Sequence, residues 1–193
     1  LLPPQFTHPL CTGNELVAPG NPVRDDQIFE STSFALMSLV RAWGGKAVFA
    51  GVEKDSLKGI AKALRKVETD LIVTVGGASV GDYDLVKPAL LSIGYDPSFD
   101  KVDLRPGRPT SFGKLKGGPF VLGLPGNPAS ALVCAQLFLK PFIQTALSRH
   151  IDRQEMNLPC LDVLPRNSAR QAYLRAKIVR DTKGCPALKP FVD

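Results

Sequence analysis

The sequence predicts an α/β protein, a three-layer sandwich with a mostly parallel, mixed sheet, followed by an incomplete small β domain. Three observations lead there. Leu71 to Val75 is a short apolar, largely β-branched run without alternation, the pattern of a strand covered on both faces of a parallel sheet. Helical periodicities alternate with such runs from Leu10 to Leu147, which is the order of a doubly wound fold. Lys116-Gly117-Gly118-Pro119 separates two strand-like runs as a hairpin turn would, which adds an antiparallel member. Residues 1–150 then form the α/β domain with a short N-terminal arm, and residues 151–193 the start of a β domain.

Leu1 to Pro9 carries three prolines and no periodicity, so it reads as the arm. Leu10 to Glu15 reads as the end of a first strand, short or at a sheet edge because Pro9 removes a ladder donor. From Ser33 the spacing of Phe34, Met37, Val40 and Trp43 predicts a helix, with Ser31, Thr32 or Ser33 as its cap and Gly44-Gly45 as its end. Lys46 to Val52 reads as a strand, and Leu57, Ile60, Ala61 and Leu64 as a second helix. After the central strand comes a third helix over Leu85 to Ile93, with Pro88 tolerable only in its first turn. Phe99 to Leu104, Thr110 to Leu115 and Phe120 to Leu124 read as strands, the last two as the hairpin. Ser130 precedes a long helix to Leu147 that Pro141 should kink. In the tail, Leu161 to Leu164 and Ala172 to Arg180 are strand-like, with Tyr173 and Arg175 on one side and Leu174, Ala176 and Ile178 on the other.

Composition narrows the function. With 44% hydrophobic and 22% charged residues among 193, the chain is ordinary for a globular protein. No apolar run approaches the roughly 18 residues of a membrane span, and no signal sequence opens the chain, so no membrane partner and a cytoplasmic location are expected. Cys11, Cys134, Cys160 and Cys185 are scattered, and His8 and His150 are the only histidines, a poor basis for a disulfide framework or a zinc site. Cys134 reads as core. The formal charge of +6 favours anionic partners, but the basic residues are dispersed and no nucleic-acid-binding signature accompanies them.

The chemistry concentrates in loops that follow strands. Gly76 and Gly77 stand where the central strand must leave the sheet, and Ser79, Gly81, Asp82 and Asp84 lead toward the third helix. Beyond the carboxyl end of a strand in an open α/β sheet, bare amides and a helix N-terminus suit an anion. Two glycines can equally make only a tight connection, with Asp82 or Asp84 as an N-cap. Thr12-Gly13-Asn14-Glu15, Asp55, Arg105-Pro106-Gly107-Arg108-Pro109 and Gly123-Leu124-Pro125-Gly126-Asn127-Pro128-Ala129-Ser130 fall at comparable places. Their carboxylates suit a hard divalent cation, and Lys101, Arg105 and Arg108 suit oxyanions. The bland alternatives are a surface turn for Glu15, a helix cap for Asp55, a solvated Lys101 and a purely structural Pro125 to Pro128 turn.

In this order and at these separations the segments resemble the molybdopterin molybdenumtransferases, the MoeA and gephyrin E-domain family, from Thr12 to about Leu147. The tail around Arg170, Tyr173, Leu174, Arg175 and Ala176 is similar to that family's C-terminal β domain. The resemblance implies molybdenum cofactor biosynthesis: insertion of molybdate into adenylylated molybdopterin with release of AMP, assisted by magnesium. It places Glu15, Asp55 and Asp84 at acidic catalytic positions, with Asp55 and Asp84 as metal ligands. It places Gly76, Gly77, Ser79, Lys101, Arg105, Arg108, Pro125, Pro128 and Ser130 around the substrate, the two arginines where the family commonly has lysines. A homodimer and an adenylyltransferase partner are implied for the full-length protein. Asn14 departs from the family's usual aspartate. The family's two N-terminal regions have no counterpart here, so the chain reads as a fragment, and an inactive one is one expectation. A related molybdopterin adenylyltransferase and a non-catalytic gephyrin-like assembly module are the alternatives.

Overall fold

The computed structural model describes residues 6–54, 56–76, 85–149, 155–164, 166 and 169–191. The chain divides into two compact units, Leu1–Val102 with Gly107–Ile151, and Asp103–Pro106 with Asp152–Asp193.

In the first unit the chain runs through β1 (Phe6–Thr12), β2 (Leu16–Val17), β3 (Ile28–Phe29), α1 (Thr32–Ala42), β4 (Gly51–Glu53), α2 (Leu57–Arg65) and β5 (Leu71–Val75). It continues through α3 (Val86–Ser92) and β6 (Tyr95–Phe99), passes β7 (Leu104–Arg105) of the second unit, then forms β8 (Ser111–Leu115), β9 (Phe120–Leu124), α4 (Pro128–Cys134) and α5 (Lys140–Ala146). The six-stranded sheet has the order β4-β1-β5-β9-β8-β6. Pairing is parallel from β4 through β9 and antiparallel on both sides of β8, so β8 alone runs against the rest. This is the mostly parallel mixed sheet that the sequence predicts.

All five residues of β5 are buried, as expected of a central strand. Leu71, Val73 and Val75 pack with Leu36, Met37 and Val40 of α1 and Ala131 and Cys134 of α4. Ile72 enters the opposite core with Ile60 and Leu64 of α2 and Val86 and Leu90 of α3. Alternate side chains of one strand thus serve helices on both faces, which makes three layers.

Several boundaries differ from expectation. β1 is an interior strand between β4 and β5, not a short or edge strand. Proline is tolerated there because the Pro9 carbonyl takes Ala50 N–H at 3.1 Å while β4 begins only at Gly51, opposite Leu10. The imide nitrogen, on the same side as its own carbonyl, therefore meets no ladder acceptor. The expected strand over Lys46 to Val52 shrinks to Gly51–Glu53. The expected strand Phe99 to Leu104 is replaced by β6, which starts directly after Gly94 (φ +90°) ends α3. Pro97 fits it because β6 is an edge.

Helix starts differ too. Ser56, not Asp55, is the N-cap of α2, its hydroxyl accepting Gly59 N–H at 3.4 Å. The N-cap position of α3 falls on Leu85, not on Asp82 or Asp84, and Pro88 sits in its first turn as required. The long helix starts at Pro128 instead of after Ser130, and a π turn at Ala135–Leu139 stands where Pro141 was expected to kink it. Pro141 cannot donate to the preceding turn, and the widened turn just ahead of it absorbs that loss.

In the second unit β7 pairs in parallel with β10 (Gln171–Ala172), and β11 (Ala176–Arg180) pairs antiparallel with β12 (Pro186–Pro190). Asp181 closes that hairpin by accepting Lys183 and Cys185 N–H at 2.9 and 2.8 Å. The expected strand over Leu161 to Leu164 is absent, apart from a bridge of Cys160 to Leu188, and Ala172 to Arg180 is broken in two. Ile178 of β11 is 62% exposed.

Candidate functional site

The strand order reverses direction between β1 and β5: the chain leaves β1 outward to β4, then crosses back to β5 on the other side. Ligand crevices in open α/β sheets form at such a switch point, beyond the strands' carboxyl ends. A cavity of about 520 Å³ opens there. Its walls include Cys11 and Thr12 from the end of β1, Val75 and Gly76 from β5, and the turn from Pro125 to Ser130 after β9.

Glycine is required where these loops meet. Gly76 has φ +85°, a region unfavourable to L side chains, and a Cβ on it would stand 3.1 Å from the Thr12 carbonyl oxygen. A Cβ on Gly126 would stand 3.3 Å from the Gly76 Cα. The β5 exit and the turn after β9 therefore touch backbone to backbone.

That turn is held by Asn127, the N-cap of α4, whose Oδ1 accepts Ser130 N–H at 3.1 Å and Ser130 O–H at 3.2 Å. Pro128 at the first position of α4 fixes the entry. The Ser130 hydroxyl thus gives its proton to the cap while the residue lines the cavity.

The opposite wall is a flap between β1 and α1. β2 and β3 pair in parallel, with Ile28 N–H donating to the Glu15 carbonyl at 2.8 Å and Glu30 N–H to that of Val17 at 2.9 Å. Glu15 is exposed and lines the cavity. Its carboxylate folds back over Gly13, within 2.7 to 2.9 Å of where a Cβ there would stand. Glu30 is buried, and its Oε1 accepts Ser33 N–H at 2.8 Å at the start of α1. Glu30 was not foreseen; the expected serine or threonine cap makes no side-chain bond, since Ser31 holds the cap position without one.

Of the residues expected at the site, Glu15, Gly76, Pro125, Pro128 and Ser130 line one cavity. Arg108 is exposed beside it, between the lining residues Gly107 and Pro109. Lys101 is exposed and is not among the lining residues. Arg105 belongs to the second unit, where its carbonyl accepts Tyr173 N–H at 2.7 Å. Asp55, Gly77, Ser79 and Asp84 lie outside the described residues. Among the described residues no three His, Cys, Asp or Glu side chains gather to hold a metal.

Cysteine nucleophiles find no support here. Burial pushes the Cys11 thiol far up, and the nearby Glu30 carboxylate adds to this against the Ser33 hydrogen bond. Burial also raises Cys134, whose sulfur lies 3.3 Å from the Thr110 hydroxyl. Both remain protonated thiols, and Cys134 is core as expected.

The family described as "Probable molybdopterin binding domain" matches residues 9–145, the span that builds the sheet and the cavity. The chain belongs to this family. Molybdopterin molybdenumtransferase 2 of Mycobacterium tuberculosis is 38% identical over 154 residues, covering 76% of this chain and 38% of that protein. The Drosophila melanogaster molybdenum cofactor synthesis protein cinnamon is 32% identical over 176 residues, covering 88% of this chain and 29% of that one. The crystal structure of the molybdopterin biosynthesis moea protein from Pyrococcus horikosii superposes with a TM-score of 0.75 at 26% identity, over 98% of this chain and 46% of that one. The chain spans 29% to 38% of the length of the curated relatives it matches. These names do not favour the adenylyltransferase alternative.

Proposed function

We propose that the chain is the molybdopterin-binding part of a molybdopterin molybdenumtransferase, which inserts molybdate into adenylylated molybdopterin and releases AMP. The observation that carries this is the convergence of Glu15, Gly76 and the Pro125 to Ser130 turn on one cavity at the sheet's switch point. The amides around Gly76 and Gly77, with Ser79, bind a phosphate; Arg108, whose forked guanidinium matches an oxyanion, and Lys101 hold molybdate or a second phosphate, and Arg105 offers the same forked donors on the second unit. Asp55 and Asp84 hold a divalent cation such as magnesium, and their hard oxygen donors suit it. Such an ion would supply charge neutralisation at the phosphoanhydride. Glu15, at the cavity's exposed rim, orients the reacting groups.

The longer protein works in the cytoplasm as a homodimer and receives its substrate from a molybdopterin adenylyltransferase. Among the described residues no helix is long and apolar enough to cross a membrane.

Substituting Asp84→Asn in the protein that contains this chain tests the reading. Molybdate-dependent AMP release should fall by about 100-fold with melting temperature unchanged, the scale expected when charge stabilisation at the leaving group is lost. Unchanged turnover would remove Asp84 from the chemistry and the proposed mechanism with it.

A further inference from the structure

Glu30 is 2% exposed, yet it lines the cavity. Its backbone is pinned by the bond to Val17 in the flap, and Ser33 N–H satisfies one carboxylate oxygen. Among the described residues the other, Oε2, is buried without a partner, and so is Oγ1 of Thr12, a second cavity-lining residue that is 5% exposed. Among the described residues no ion pair reaches Glu30. A buried acceptor left unsatisfied is costly, more so on a carboxylate. Capping α1 accounts for Oε1 and leaves Oε2 unexplained.

A carboxylate oxygen that can only accept and a hydroxyl that can accept, both lining this cavity, suit a ligand edge that carries donors. The pterin ring of molybdopterin has one in its 2-amino group and neighbouring N3–H. Ile28 and Phe29, 60% and 53% exposed, line the same cavity from the strand just before Glu30 and offer apolar surface to a flat heterocycle. We infer that Glu30 Oε2 and Thr12 Oγ1 receive the amino–amide edge of the pterin ring, which fixes the ring's orientation in the cavity. This rests on the reading of the cavity as a molybdopterin site and adds the residues that read the ring. Glu30 is here a binding residue and has no part in the bond-breaking step.

Fluorescence titration with free pterin and with lumazine, which carries a carbonyl in place of the 2-amino group, separates recognition of this edge from general stacking. The wild-type chain should bind pterin about tenfold tighter than lumazine, as loss of one charge-assisted hydrogen bond implies. Glu30→Gln, which keeps an oxygen for Ser33 N–H, and Thr12→Val should each reduce that preference, with folding monitored through Trp43. Equal binding of pterin and lumazine by the wild type overturns the inference without any variant. Molybdopterin bound equally by wild type and Glu30→Gln also overturns it, while leaving the proposed function standing. Failure of the wild type to bind molybdopterin at all removes both.

Discussion

Gly107 and Gly51 have nearly the same backbone conformation, φ +115° and +109°, in opposite surroundings. A Cβ on Gly51 would meet nothing within 4 Å, whereas one on Gly107 would overlap the sulfur of Cys134, which is 0% exposed in the core of α4. Gly51→Ala should therefore cost only the conformational penalty of a side chain at positive φ, about 1–2 kcal/mol. Gly107→Ala should cost that plus an overpacking cost of about 1–3 kcal/mol, because the interior cannot yield without displacing α4. Removing the sulfur with Cys134→Ala should relieve the second part, so the double mutant should show a coupling of about 1–3 kcal/mol. The assay is urea denaturation followed by Trp43, the single tryptophan, which packs against the same core as Cys134. Equal losses for Gly107→Ala and Gly51→Ala, or no coupling with Cys134→Ala, would refute the claim that Gly107 is held against α4 by close packing. The connection matters for the site because Gly107 and Pro109 flank Arg108 on the cavity wall.

Native alkylation at pH 8 followed by mass spectrometry should label Cys160 and Cys185, both exposed, and spare Cys11 and Cys134, whose burial suppresses the thiolate; rapid labelling of Cys11 would contradict the buried floor of the cavity. Tyr95 should titrate late: burial, aided by the negative charge of Asp100, pushes its phenol up to about 12 from an ordinary 10. The folded state then holds the proton more tightly than the unfolded one, so this stabilisation is complete below pH 10 and is lost as pH rises from 10 through 12. Ultraviolet titration of phenolate formation, compared with Tyr95→Phe, checks the sign; a Tyr95 titrating at 10 in the folded protein would contradict it. Asn127→Ala should cost about 1 kcal/mol through loss of the α4 cap and should weaken ligand binding by freeing Ser130; an unchanged urea midpoint would contradict the cap.

What could be read from the residues alone was whatever burial stamps on composition. Leu71 to Val75 and Phe120 to Leu124 are apolar but for Thr74 because both faces are covered, and their hairpin or crossover connections follow from glycines and helical spacing. β1 was misplaced because its proline counts against an interior strand only if a ladder acceptor faces it, and the late start of β4 decides that. β12 escaped because prolines at both of its ends imitate loop punctuation. The site was legible as motifs at strand ends, since Glu15, Gly76 and Pro125 to Ser130 do meet. Glu30 was not, because a lone glutamate before a helix looks like any solvated carboxylate. Its i to i+3 spacing to Ser33, shared with N-caps, was the available signal.

Diffraction from crystals grown with adenylylated molybdopterin tests the central claim most directly. The account predicts ligand density in the cavity bounded by Glu15, Gly76 and Asn127, beyond the carboxyl ends of β1, β5 and β9. Ordered ligand at the other edge of the sheet, with this cavity holding only solvent, would contradict it.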